Sequence, residues 1–211
     1  MSDQSPIDAV VFDLGGVLID WNPEYLFRKL FDDPQRMRWF LTHVCTPEWN
    51  EEQDAGRPLA EGTELLVRQF PDWEPYIRAY YDRWEEMLGG AIEPSVAFLR
   101  KLKERNDLRL LALTNWTAET FPVARRRFDF LDWFEGIVVS GEEGTRKPFP
   151  EIYRRLIERY RIDPQRSLFI DDNLRNIEAA QQMGFQTLHF TGPEVWERLD
   201  VTERLREGET E

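Results

Sequence analysis

Cysteine and histidine are scarce in this chain of 211 residues. Cys45 is the only cysteine, so no internal disulfide can form and nothing reads as a secreted, bridge-stapled domain. His43 and His189 are the only histidines. A site of several imidazoles cannot be built within one chain, and any bound metal is expected to be a hard cation held by carboxylate oxygens. Long apolar runs are missing too. Stretches such as Leu110 to Leu113 fall far short of the roughly 20 residues a membrane-crossing helix needs. Met1-Ser2-Asp3-Gln4 carries neither the basic start nor the apolar segment of a signal peptide, so a cytoplasmic protein without membrane contact is expected. Basic charge is the minority. Against 40 Asp+Glu stand 27 Lys+Arg, a formal net charge of −13, which repels phosphate backbones and anionic lipid and excludes nucleic acid as the main partner. The triplet Arg125-Arg126-Arg127 reads as a solvated helix face.

What is present suffices for a core: 41% of residues are hydrophobic and 13% aromatic. Five short apolar runs stop abruptly at polar or small residues, as buried parallel strands do. They are Ala9 to Phe12, Leu110 to Leu113, Ile137 to Val139, Leu168 to Ile170 and Thr187 to Phe190. Amphipathic segments at Val96 to Arg105, Ile152 to Tyr160 and Ile177 to Met183 separate the later ones, with Gly184 placed as a helix stop. The alternation predicts an α/β fold, a Rossmann-like three-layer sandwich around a parallel sheet. One connection is far too long for such a fold. Between Val17 and Leu110 most of the chain reads as helix, at Pro23 to Phe31, Pro34 to Val44, Leu59 to Phe70 and Glu74 to Leu88. Five of the eight tryptophans fall there, more than an exposed loop would carry. Residues 20–90 are therefore read as an inserted α-helical cap subdomain on a core of residues 1–19 plus 91–211. Gly208 to Glu211 reads as a frayed tail.

In open α/β sheets ligands bind beyond the carboxyl ends of the strands. Those ends carry Asp13-Leu14-Gly15-Gly16, Thr114-Asn115, Ser140 with a Gly-rich loop to Arg146-Lys147-Pro148, and Asp171-Asp172-Asn173. Each has an ordinary alternative. Asp13 suits a turn, Thr114 a cap for a helix over Ala118 to Arg126, Asp171 to Asn173 a cap for the next helix, and Lys147 a solvated loop charge. The joint placement points elsewhere. Acids clustered on one edge raise one another's pKa and cost stability, and a divalent cation removes that penalty, so the cluster predicts Mg²⁺. Lysine is notable there because the chain has only four.

In their order and spacing these residues resemble the four motifs of the haloacid dehalogenase superfamily, phosphatase-like, with a helical cap inserted between the first and second motifs. The motifs are Val11 to Leu18, Leu113-Thr114-Asn115, Arg146-Lys147-Pro148, and Phe169 to Asn173 followed by Asn176. The resemblance implies hydrolysis of a small phosphate monoester, a sugar phosphate or similar metabolite, by a monomer or homodimer. Asp13 would be the nucleophile that forms an aspartyl-phosphate. Asp13, Asp172 and the backbone carbonyl of Gly15 would hold Mg²⁺. Thr114, Asn115 and Lys147 would bind the phosphoryl oxygens, Asp171 would orient Lys147, and Asn176 would support the metal shell.

The departure is Gly15, where these phosphatases usually carry a second aspartate that protonates the leaving oxygen. Losing such a group costs roughly 10²- to 10⁴-fold in rate. Three consequences are open: a substrate with an easy leaving group, an acid supplied by the cap, or a catalytically weak protein that binds a phosphometabolite. Glu48, Glu51, Glu52, Asp54 and His43 are the cap candidates. In the cap turn Arg57 reads as solvated or reaching a substrate, and Trp116 as pocket wall or packing residue. Cleavage of a carbon–halogen bond ranks lower, because the acid pair Asp171-Asp172 would repel a carboxylate substrate.

Overall fold

The structure is a computed structural model that describes residues 6–198. The termini, including the expected tail at Gly208 to Glu211, lie outside the described residues. Five strands form a parallel sheet in the order β5-β4-β1-β6-β7: β1 (Ala9–Phe12), β4 (Arg109–Thr114), β5 (Gly136–Val139), β6 (Ser167–Asp171) and β7 (Gln186–His189). Alternate residues of β1 serve opposite faces, as the period of two requires. Val10 and Phe12 join Ala112, Ile170 and the apolar side of α6 (Glu93–Glu104). Ala9 and Val11 join Leu111, Phe169, Ile152 and Leu156 of α9 (Pro150–Tyr160), and Ile177 of α10 (Leu174–Gln182). The result is the three-layer α/β sandwich that the apolar runs imply. Among the described residues no helix is long and apolar enough to cross a membrane.

The chain runs outward from β1 through β4 to β5, then returns to the other side of β1 for β6. This reversal leaves a crevice where β1 and β6 end side by side, paired through Phe12 and Ile170. Asp13 follows β1 and Asp171 closes β6, so both arrive at the crevice mouth.

Before β4 the chain leaves through β2 (Ile19–Trp21) and returns through its antiparallel partner β3 (Leu88–Ala91), and the helices between them form a layer over the strand ends. The helices are α1 (Glu24–Phe27), α2 (Pro34–His43), α3 (Pro47–Asp54), α4 (Leu59–Gln69) and α5 (Glu74–Asp82). Three details differ from the sequence reading. The first helix is one turn rather than Pro23 to Phe31, the helix expected to end at Leu88 stops at Asp82, and Leu88 to Ala91 is strand. The helix α3 carries a sequence signal that went unused, since Thr46 caps it by accepting from the Trp49 N–H and Pro47 opens it.

An aromatic cluster holds this layer together. Phe27 lies 5.0 Å from Phe40 and 6.0 Å from Tyr80, ring centre to ring centre, while Phe31 stacks on Tyr76 at 4.3 Å. Cys45 is buried among the same residues, and burial pushes its thiol up, which makes it a packing residue. His43 stacks on Trp39 at the surface. Replacing Phe27 by Ala removes the centre of this cluster and is expected to cost about 3–5 kcal/mol, read as a lowered midpoint in urea unfolding.

Candidate active site

Lys147 is the centre of the crevice. The lysine is fully buried, and its Nζ lies 2.8 Å from Asp13 Oδ2 and 2.6 Å from Asp171 Oδ2. Burial works against its charge, but the two carboxylates outweigh it and hold the ammonium above the ordinary lysine value. Asn115 fixes the backbone that delivers this side chain. Its Oδ1 accepts from the Lys147 N–H at 2.8 Å and its Nδ2 donates to the Lys147 carbonyl at 3.0 Å. The structure thus uses the Asn115 side chain to place Lys147.

Asp171 is saturated with donors. Besides Lys147 it accepts from the Asn173 backbone N–H at 2.9 Å and from Asn176 Nδ2 at 2.9 and 3.1 Å. Asn176 therefore reaches the metal cluster only through Asp171. Asn173 caps α10 with its own side chain, which leaves the acid pair free of that duty. Asp13 accepts from the Leu14 N–H at 2.7 Å as well as from Lys147. Burial pushes its carboxyl well above the usual range; Lys147 pulls it down, while Asp171 and Asp172 push it further up. Asp172 is also raised, by burial and then by Asp171.

Two glycines shape the turn after β1. Gly16 adopts a φ of 75°, and a Cβ there would collide with the Asp172 carboxylate, so only glycine lets the turn come so close. Gly15 has no such constraint, for a Cβ there meets nothing within 4 Å. Oxygens of Asp13, Asp171 and Asp172 lie within 4.8 Å of one another. Three mutually repelling oxygen donors, two of them with raised pKa, are a donor set that fits a hard divalent cation.

At the end of β4, Thr114 is 1% exposed and its hydroxyl has no hydrogen-bond partner. A buried group left so costs about 1–3 kcal/mol, a deficit that a ligand oxygen would remove. It caps no helix: α7 (Phe121–Arg127) starts later than expected, after a turn tied by the Thr117 and Thr120 hydroxyls at 2.7 Å.

Above these groups lies a cleft with about 420 Å³ of empty space. Gly15, Asn115 and Trp116 line it from the sheet side, Trp21 and Trp84 from the connection, and Asn50 and Asp54 from α3. Trp116 is both wall and packing residue, with its ring edge-on to Trp84 at 5.5 Å and its Nε1 donating to Thr120. Arg57 stays within its own layer, bonded to Gln53 Oε1 at 2.6 Å. The helical layer is tied to the crevice by Glu51, which pairs with Arg146 at 2.7 Å and Arg175 at 2.8 Å. Asn50, Trp21, Trp84 and the Glu51 contacts were not singled out from the sequence, because only the fold brings these segments together.

Comparison with known proteins agrees with this geometry. The sequence pattern of the haloacid dehalogenase-like hydrolases matches residues 7–184. A D-ribitol-5-phosphate phosphatase of Bacteroides thetaiotaomicron is 30% identical over 207 residues, covering 93% of this chain and 97% of its own. A sesquiterpene phosphatase of Aspergillus oryzae is 28% identical over 186 residues, covering 87% and 89%. A haloacid dehalogenase family enzyme of B. thetaiotaomicron, solved with magnesium and inorganic phosphate, superposes with a TM-score of 0.66 at 23% identity, covering 92% of this chain and 99% of that one.

The buried ammonium makes a testable demand. Replacing Lys147 by Met leaves Asp13 and Asp171 facing each other without a counter-charge, and such losses typically cost about 3–5 kcal/mol. Protonating one carboxyl relieves the repulsion, so native-state pKa values rise and stability falls with increasing pH. Urea unfolding in chelator is expected to show a larger deficit for Lys147→Met at pH 8 than at pH 5.

Proposed function

Since the chain belongs to the haloacid dehalogenase-like hydrolase family, we propose that it hydrolyses a small phosphate monoester, a sugar phosphate or similar metabolite, through an aspartyl-phosphate on Asp13 and with Mg²⁺ as cofactor. The observation that carries this reading is the Asp13–Lys147 pair beside the partnerless Thr114 hydroxyl: a nucleophile, a cation and a free donor at one strand edge. The phosphatase relatives and the magnesium- and phosphate-bound neighbour support it.

In this reading Asp13 attacks phosphorus, Lys147 offsets charge on the phosphoryl oxygens, and Thr114 donates to one of them. Asn115 keeps the lysine in place, Asp171 orients its ammonium, and Asn176 holds Asp171 still. Asp13, Asp172 and the Gly15 carbonyl hold the metal, which when bound supplies Lewis-acid neutralisation of the phosphoryl charge. Residues 20–90 act as the cap that closes over the substrate and excludes water. The cleft suits a polyol or sugar, with indole faces for the carbon skeleton and Asn50, Thr117 and Thr120 for hydroxyls.

Gly15 motivates a second reading, a protein on the same fold that binds a phosphometabolite and turns it over feebly. Turnover of sugar, acyl and nucleotide monophosphates separates the two. Hydrolysis lost in chelator, restored by Mg²⁺ and reduced to background by Asp13→Asn fits the enzyme, whereas tight binding with no turnover fits the binder. The metal has its own readout. Mg²⁺ at about 100 times its Kd is expected to stabilise the fold by about 2.7 kcal/mol in thermal unfolding, and Asp172→Asn is expected to abolish that gain.

A further inference from the structure

Gly15 stands where a phosphatase acid is expected, yet neither its backbone nor its surroundings require glycine. Its φ is not among the positive ones, and the space a side chain would enter is open. That space belongs to the cleft beneath α3, and the one carboxylate lining the cleft is Asp54. The other acids of the helix are committed or turned away. Glu51 is held by two arginines, Glu48 and Glu52 are exposed, and His43 lies on the outer surface against Trp39.

Asp54 is built in rather than draped there. It is 9% exposed, and its Oδ2 accepts from Asn50 Nδ2 at 2.9 Å. Asn50 is itself fixed, for its Oδ1 accepts from the Tyr81 hydroxyl at 2.9 Å. The other Asp54 oxygen has no hydrogen bond among the described residues. One turn earlier on α3, Glu51 bolts the helix to Arg146 and Arg175. Arg146 adjoins Lys147 in sequence, so the same contact that seats the helix ties it to the loop carrying the catalytic lysine.

We propose that Asp54 supplies the proton transfer missing at position 15, as acid toward the leaving oxygen and then as base toward water. The proposal rests on the phosphatase reading above. In the first step the Asp13 carboxylate forms a bond to phosphorus, the ester P–O bond breaks, and the departing oxygen takes the Asp54 proton and leaves as an alcohol. In the second, water loses a proton to the Asp54 carboxylate as its oxygen bonds to phosphorus. The acyl-phosphate bond breaks, inorganic phosphate leaves, and Asp13 and protonated Asp54 are restored.

The electrostatics suit both halves. Burial pushes the Asp54 carboxyl up to about 7; Arg146 pulls it down, Glu51 pushes it up and Lys147 pulls it down. Tyr80 and Tyr81, facing it from α5, stay neutral because burial pushes both phenols up. A group that titrates near neutrality can give a proton in one step and accept one in the next.

The test is single-turnover phosphoryl transfer in Mg²⁺, comparing alkyl phosphates with 2,4-dinitrophenyl phosphate, whose leaving group needs no proton. Asp54→Asn is expected to slow the alkyl esters by about 10²- to 10⁴-fold and leave the dinitrophenyl burst unchanged. It is also expected to remove the decline in alkyl-ester rate above pH 7, while Asp54→Glu retains that decline. The double variant Gly15→Asp/Asp54→Asn should recover alkyl-ester transfer, because the open space at position 15 admits the carboxylate. An equal slowing of both substrate types by Asp54→Asn, or no slowing, overturns the role of Asp54. Absence of a burst from the wild-type protein with every substrate instead overturns the phosphatase reading itself.

Discussion

The organising interaction of this molecule is a buried ammonium between two carboxylates. Asp13 and Asp171 end adjacent parallel strands, and without a cation between them their repulsion and desolvation would oppose the strand pairing that brings them together. Lys147 meets both within 2.8 Å. Its position is in turn set by the two hydrogen bonds from Asn115 to its backbone. The sheet, the β4 terminus and the loop before α9 are thus coupled through one charge. Buried ionic groups of this kind do little for net stability compared with apolar packing, and they persist where a geometry has to be held.

The order of the strands explains why so few residues suffice. Because β1 lies at the point where the chain reverses direction across the sheet, one crevice receives the ends of β1, β4 and β6 together. A residue one position beyond the apolar run of any of these strands lands in the same small volume. Asp13, Thr114 and Asp171 follow this rule, and Asp172 reaches in because Gly16 carries no side chain to keep it out.

That rule is also why the sheet and its edge could be read from the chain. The runs Ala9 to Phe12, Leu110 to Leu113 and Leu168 to Ile170 are apolar on both faces and stop at polar groups, a local signal needing no tertiary context. Leu88-Gly89-Gly90-Ala91 gives no such signal. It is a strand because β2 lies beside it, and Gly90 takes a φ of 127° that no propensity records. The start of α7 was misplaced for a related reason: the hydroxyls of Thr117 and Thr120 tie a turn that delays the helix. Asp54 stood as one acid among five candidate residues in the cap, and its separation from Glu48, Glu51 and Glu52 is a matter of burial, which follows from how α3 sits on the sheet edge.

The double grip on Glu51 has an outcome for traffic through the cleft. One arginine comes from the loop of Lys147 and the other from the helix that follows Asp172, so the helical layer cannot lift without parting a carboxylate from two guanidiniums at once. Dissolved salt weakens such attractions when they are only partly shielded from water. The residence time of whatever the cleft holds is thereby tied to ionic strength: dilute solution keeps the lid latched, and concentrated salt loosens it.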